Sequence, residues 1–261
     1  MPQFAENIKR KYKNVRKSHK FLSIFITFLL VLISFFLIFN ISDIFSSLIT
    51  HKKGLFFVDR IEVTSYNIYG VSSKDFESEE DANNYASTII NQGAMGEVYH
   101  HGEYFVLVAT YPTLLEAQEV QNNLINLGYN ARIVNIFVKE FKHDYRGSDK
   151  ALIEQSLYKF REIYYSLYNI DIDFDKGNLS RSSFTGKVAQ ILTEITAFCS
   201  RVSSSQISKE IKENLTNSFS SVIDLLEEVL YSPYSNFETS SLLKRNMFQI
   251  VQINEELAYN M

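Results

Sequence analysis

Between Phe21 and Ser42 the chain has no charged residue, and Phe, Leu, Ile and Val dominate the run. Twenty-two residues in a helix rise roughly 33 Å, enough to cross a hydrocarbon core of about 30 Å. A secretory signal has an apolar stretch of only about 7–15 residues and a small-residue cleavage site. This run is longer and leaves through Asn40-Ile41-Ser42-Asp43, so a single transmembrane helix is expected. Lys9, Arg10, Lys11, Lys13, Arg16, Lys17 and Lys20 precede it against Glu6 alone, and the nearest basic residues after it, histidines aside, are Lys52, Lys53 and Arg60. That bias predicts a cytoplasmic N-terminus, with the bulk of the chain extracytoplasmic.

The whole chain carries a net charge of −4 in spite of its basic tail, so the remainder is acidic. Nucleic-acid binding calls for a basic patch on a folded domain. Here the patch abuts an apolar run, and a membrane partner is read through Phe21–Ser42 with no nucleic acid. Three prolines and nine glycines in 261 residues argue against a long linker. The one cysteine, Cys199, has no intramolecular disulfide partner, so the fold stands on packing. Cys199 lies on an apolar helical stripe and is expected in the core.

Residues 66–136 hold a repeat at an offset of 35. Tyr69 aligns with Tyr104, Ala82 with Ala117, Ile89-Ile90-Asn91 with Leu124-Ile125-Asn126, Gly93 with Gly128, and Val98 with Ile133. Each unit reads strand, turn, helix, strand. Tyr104 to Ala109 is a β-branched and aromatic run. Leu114, Ala117, Val120, Leu124 and Leu127 recur at helical spacing, predicting a helix over about Thr113–Leu127. Gly128 and Gly93 then fall where left-handed C-terminal caps are expected. Ser78 is placed to cap the first helix, with Glu79, Glu80 and Asp81 favourable to its dipole rather than a metal site. His100 and His101 fall at a turn beside Gly102 and read as solvated. No metal and no cofactor is expected.

Two such units predict a four-stranded sheet with both helices on one face and the other face open to solvent. The pattern resembles the SPOR domain, a peptidoglycan-binding module of bacterial envelope proteins. The resemblance rests on Tyr-x-Val-x-Val-x-x-aromatic at Tyr104–Tyr111, on Glu116-Ala117 and on Leu-Gly-Tyr-Asn-Ala at 127–131. It implies that the open face binds glycan strands stripped of their stem peptides. Strand alternation predicts that Val71, Val106 and Val108 face the helices. Ser72, Lys74, Tyr99, Phe105, Leu107 and Arg132 then form the glycan- or partner-binding face. Aromatic platforms and a guanidinium suit sugar binding; equally, Phe105 and Leu107 form an apolar patch suited to a partner protein or to the chain's own C-terminal domain.

Beyond residue 150 the period changes. Ile153, Leu157, Phe160, Tyr164 and Leu167 recur at steps of three and four; so do Val188–Val202, Ile207–Val229 and Leu243–Leu257. Four amphipathic helices are predicted, with Pro233 closing the third, packed as an antiparallel bundle. Asp171-Ile172-Asp173-Phe174-Asp175-Lys176-Gly177 lacks the Gly and Glu positions of a calcium loop and reads as a solvated interhelical loop.

The fold class is therefore α+β. The expected parts are a basic cytoplasmic tail (1–20), a transmembrane helix (21–42) and a connector with a possible extra strand (43–65). A βαββαβ SPOR-like domain (66–138) and an all-α four-helix bundle (148–261) follow. The expected function is binding or scaffolding in the cell envelope of a Gram-positive bacterium, at the septum in sporulation or cell division, with glycan strands or other septal membrane proteins as partners. A protein-interaction hub that binds no glycan is the alternative. A wall hydrolase is the least favoured reading, since the last histidine is His143 and no Cys–His pair or His-with-acid cluster follows.

Overall fold

The computed structural model describes residues 59–145, 149–231 and 235–261; the basic tail, the Phe21–Ser42 segment, most of the connector and Pro233 lie outside them. Among the described residues no helix is long and apolar enough to cross a membrane. A short strand, β1 (Asp59–Val63), leads into the repeat. The first repeat unit is β2 (Tyr66–Phe76), α1 (Glu79–Ile90) and β3 (Glu97–His101); the second is β4 (Glu103–Tyr111), α2 (Leu114–Asn126) and β5 (Arg132–Val138).

The repeat offset is visible in the capping groups. Ser78 and Thr113, 35 residues apart, hold extended backbone and accept hydrogen bonds from Asp81 N and Glu116 N, which satisfies a donor that the first helical turn leaves orphaned. After the helices, Gly93 and Gly128 take φ of +86° and +91°. At α2 this lets Tyr129 N reach Leu124 O at 3.0 Å and closes the helix end. The strands order as β3-β4-β2-β5 with every neighbouring pair antiparallel. β2 and β3 thus run parallel with β4 inserted between them, a split βαβ arrangement. Val106 packs with Ala82, Ala86 and Ile89 of α1.

After β5, β6 (Phe141–Tyr145) returns to pair with β1 in a separate two-stranded ribbon, with Asp59 opposite Tyr145 and Val63 opposite Phe141. Four helices complete the chain: α3 (Lys150–Asp175), α4 (Arg181–Ser203), α5 (Lys209–Tyr231) and α6 (Asn236–Asn260). α3 and α5 each pack against both α4 and α6. Their centre is aromatic: Phe160 stacks on Phe219 at 4.7 Å between centroids, and Phe174 meets Phe184 at 4.4 Å. A capping box of Ser235 and Glu238 starts α6. The described chain is a mixed α+β structure with two antiparallel sheets and six helices, the last four in succession at its C-terminal end.

Two expectations are corrected. The acidic stretch is not an interhelical loop: α3 continues through Asp175, and Asp171 is buried. Asp171 and Asp175 are one turn apart on one side of the helix, Asp171 packed inward and Asp175 at the rim, 40% of its side chain exposed. Cys199 is half-buried on α4 rather than in the core, its thiol pushed up by burial.

Candidate functional site

The second face of the four-stranded sheet was expected to lie open. It is covered. Leu107 is 0% exposed and Ser72 1%, and they sit opposite each other in the β2–β4 ladder. Tyr99 and Phe105, also cross-strand partners, are half-buried. The cover comes from α3 and α6. Tyr99 meets Phe248 of α6 edge-on, 6.1 Å between centroids. Asn254 Nδ2 of α6 donates to the Tyr66 hydroxyl at 3.1 Å, and burial pushes that phenol up to about 12. From α3, the Tyr164 hydroxyl donates to Thr110 Oγ1 at 3.1 Å. Ile68, Leu107 and Ile136 of the sheet belong to the same continuous apolar core as Tyr164, Phe248 and Ile250 of the helices. The physical reason is area: a sheet apolar on both faces buries both, and each buried large apolar side chain gains about 1.5–3 kcal/mol.

Two of the six predicted residues stand apart. The pairing of β2 with β4 shifts register between Val71 and Ser72 and again between Ser72 and Lys74. Such an irregularity breaks strict alternation, and Lys74 turns toward α1. Its Nζ lies 4.7 Å from the Phe76 ring centroid and 5.7 Å from that of Tyr85. Ser72 Oγ bridges the irregularity by donating to Lys74 O at 2.8 Å. Arg132 remains at the rim, where its guanidinium pairs with Asp75 at 3.0 Å and Glu103 at 3.6 Å. So the structure brings Ser72, Tyr99, Phe105 and Leu107 together beneath α3 and α6, leaves Arg132 on the edge, and removes Lys74 to the other side.

A polar cluster at the junction of α3 and α6 escaped the sequence reading. Lys244 Nζ donates to Asp175 Oδ2 at 2.6 Å and to Ser240 Oγ at 2.7 Å, and lies 3.8 Å from Asp171 Oδ2. The Ser240 hydroxyl is 2.7 Å from Asp175 Oδ1 and 3.1 Å from Asp171 Oδ1. Asp171 is 2% exposed. Burial pushes its carboxyl up to about 7 although Lys244 pulls the other way. Ser240 and Lys244 stand one helical turn apart, but the ammonium is a donor to the Ser240 oxygen, not an acceptor of its proton. The chemistry is that of a half-buried ion pair, Lys244 with Asp175, joining two helices beside the buried Asp171. Tyr111 and Tyr168, edge-on at 6.2 Å, stand near the two carboxylates, and burial raises both phenols. The sequence signal was the i, i+4 spacing of Asp171 with Asp175 and of Ser240 with Lys244, legible only once both stretches are taken as helical.

Among the described residues, no group of three His, Cys, Asp or Glu side chains is arranged to hold a metal. No protein-family model, curated protein or solved structure matches the chain.

Proposed function

We propose that this chain is a membrane-anchored, extracytoplasmic scaffold of the bacterial envelope, working at the septum in sporulation or division through protein contacts. Its SPOR-like sheet is occupied by its own helical layer. The observation that carries the reading is the burial of Leu107 and Ser72 beneath α3 and α6. The face on which the SPOR resemblance places glycan binding is here a packing interface. A glycan strand reaches Tyr99, Phe105 or Leu107 only by displacing two helices from a shared apolar core. Support for the rest of the reading comes from the sequence: the uncharged Phe21–Ser42 run, the basic tail before it, and the SPOR-like repeat. The partners are other septal membrane proteins, and the role is binding rather than catalysis.

A sedimentation assay tests this. Purified residues 58–261, a compact unit, are spun with isolated wall sacculi before and after an amidase removes the stem peptides. The scaffold reading expects the protein in the supernatant in both cases. Retention only on amidase-treated walls would show that the face opens to bare glycan and would overturn it. Release of muropeptides in the same tube would replace it with an enzyme.

A further inference from the structure

A cleft of about 310 Å³ opens beside the Asp171–Lys244 cluster, between the C-terminal ends of α1 and α2 and the last turns of α3. Its walls include Thr110 and residues of α3 and α6, but none of Ser72, Tyr99, Phe105 or Leu107, so the site owes nothing to the scaffold reading. Its size reaches the lower end of the range for small-molecule sites. Four tyrosines line it: Tyr85, Tyr111, Tyr129 and Tyr168. The charged residues on its walls are Asp171, Asp175 and Lys244; the single ammonium is already committed to Asp175. A further carboxylate, Glu116, hydrogen-bonds Tyr168. No Arg or His lines the cleft, and its one cation, Lys244, is held by Asp175.

One group in the cleft is left unsatisfied. Ser73 is 5% exposed, and its hydroxyl is buried with no hydrogen-bond partner. A buried hydroxyl in that condition is costly unless a partner arrives. Ser73 lies on β2 in the stretch where the ladder with β4 shifts register.

We propose that this cleft binds a small organic cation that also carries a hydroxyl. The half-exposed Tyr129 ring and Asp175 carboxylate, joined by Asp171 where it is ionised, attract the cationic head, and the hydroxyl pairs with Ser73 Oγ. Choline is the probe, because its neutral isostere 3,3-dimethylbutan-1-ol and the anionic 3,3-dimethylbutanoate have nearly the same shape. Each is titrated by ligand-observed NMR into the full chain held in a maltoside detergent. Choline is expected to bind saturably and at least about tenfold more tightly than the neutral isostere, since one unit of charge near a carboxylate is worth that much at an intermediate effective dielectric. The butanoate is expected not to bind. Tyr129→Ala removes a half-exposed wall and Ser73→Ala removes the unsatisfied hydroxyl; each is expected to weaken choline at least about threefold, with melting curves showing the variants folded. Tyr259→Ala, at an exposed position outside the cleft, is expected to change nothing. The proposal is overturned by absence of saturable choline binding. It is equally overturned by equal affinity for the neutral isostere, or by choline binding that survives both Ser73→Ala and Tyr129→Ala unchanged.

Discussion

Asp171 carries its proton into the neutral range because burial outweighs the attraction of Lys244. In the unfolded chain an Asp ionises near pH 3.9; in the folded chain this one ionises near 7. Between those values the folded state binds the extra proton, so this group makes stability fall as pH rises from about 4 to about 7 and leaves it level on either side. The sign is opposite to that of an exposed ion-paired carboxylate. Asp171→Asn is expected to flatten that part of the profile. The check is a comparison of urea midpoints at pH 4.5 and 7.5 in both proteins; an unchanged slope in the variant would remove Asp171 as the cause. The individual caps were legible in the sequence for the same local reason that they work. Ser78, Gly93 and Gly128 act on backbone groups within a few residues of themselves, whereas Thr113, read only as the start of its helix, is its cap.

Elements were harder to read wherever two of them meet. The alternation that assigns faces along β2 holds only until Ser72; the shift in register then moves Lys74 to the other side. No residue type at 72–74 announces that shift. Two residues before Ser72, the side chains of Leu107 and Ile136 lie over Gly70. A Cβ on Gly70 would lie 2.9 Å from Leu107 Cδ2 and 3.3 Å from Ile136 Cδ1. Gly70→Ala is therefore expected to destabilise by about 1–3 kcal/mol through overpacking, and Leu107→Ala by about 2–5 kcal/mol through a cavity. Because one methyl fills part of the space the other vacates, the double variant should cost clearly less than the two single costs together. Denaturant unfolding of the three variants measures the coupling, and simple additivity would mean the crowding of Leu107 over Gly70 is not felt. The covering of the sheet had a signal too. β4 is apolar on both faces from Tyr104 to Tyr111, which is how a strand buried on both sides reads, yet the same Phe105 and Leu107 also fit an aromatic binding platform. Composition cannot separate those cases, since it records what a face is made of and not what lies against it.

At the scale of the whole molecule, the sheet and the helical layer share one core. The 66–138 stretch matches a recognisable repeat but is not an independent body in this chain. Expressed alone, it would expose Leu107, Ile68 and Ile136, residues with 3% exposure or less in the intact unit. It is expected to lack a cooperative thermal transition and dispersed NMR spectra, whereas residues 58–261 should show one transition. A well-folded 66–138 fragment would mean that the sheet does not need its cover. The change of period near residue 150 marks a change of secondary structure inside one compact unit, residues 58–261.

The ribbon of β1 and β6 has a mechanical consequence. The chain enters it from residue 58 at Asp59 and leaves toward α3 at Tyr145, and these two residues are opposite each other in the ladder. A pull between the N-terminal segment and α3 therefore acts on both strands from the same end. The rungs take the load one at a time, as in a zipper, and not all together, as in a lap joint. Ile61, Val63, Phe141 and Tyr145 seat the ribbon in the core it shares with α3, so opening it from Asp59–Tyr145 also strips β1 from α3 before force reaches β2. The rungs of the ribbon therefore stand between a load applied at residue 58 and the interface of the sheet with the helical layer.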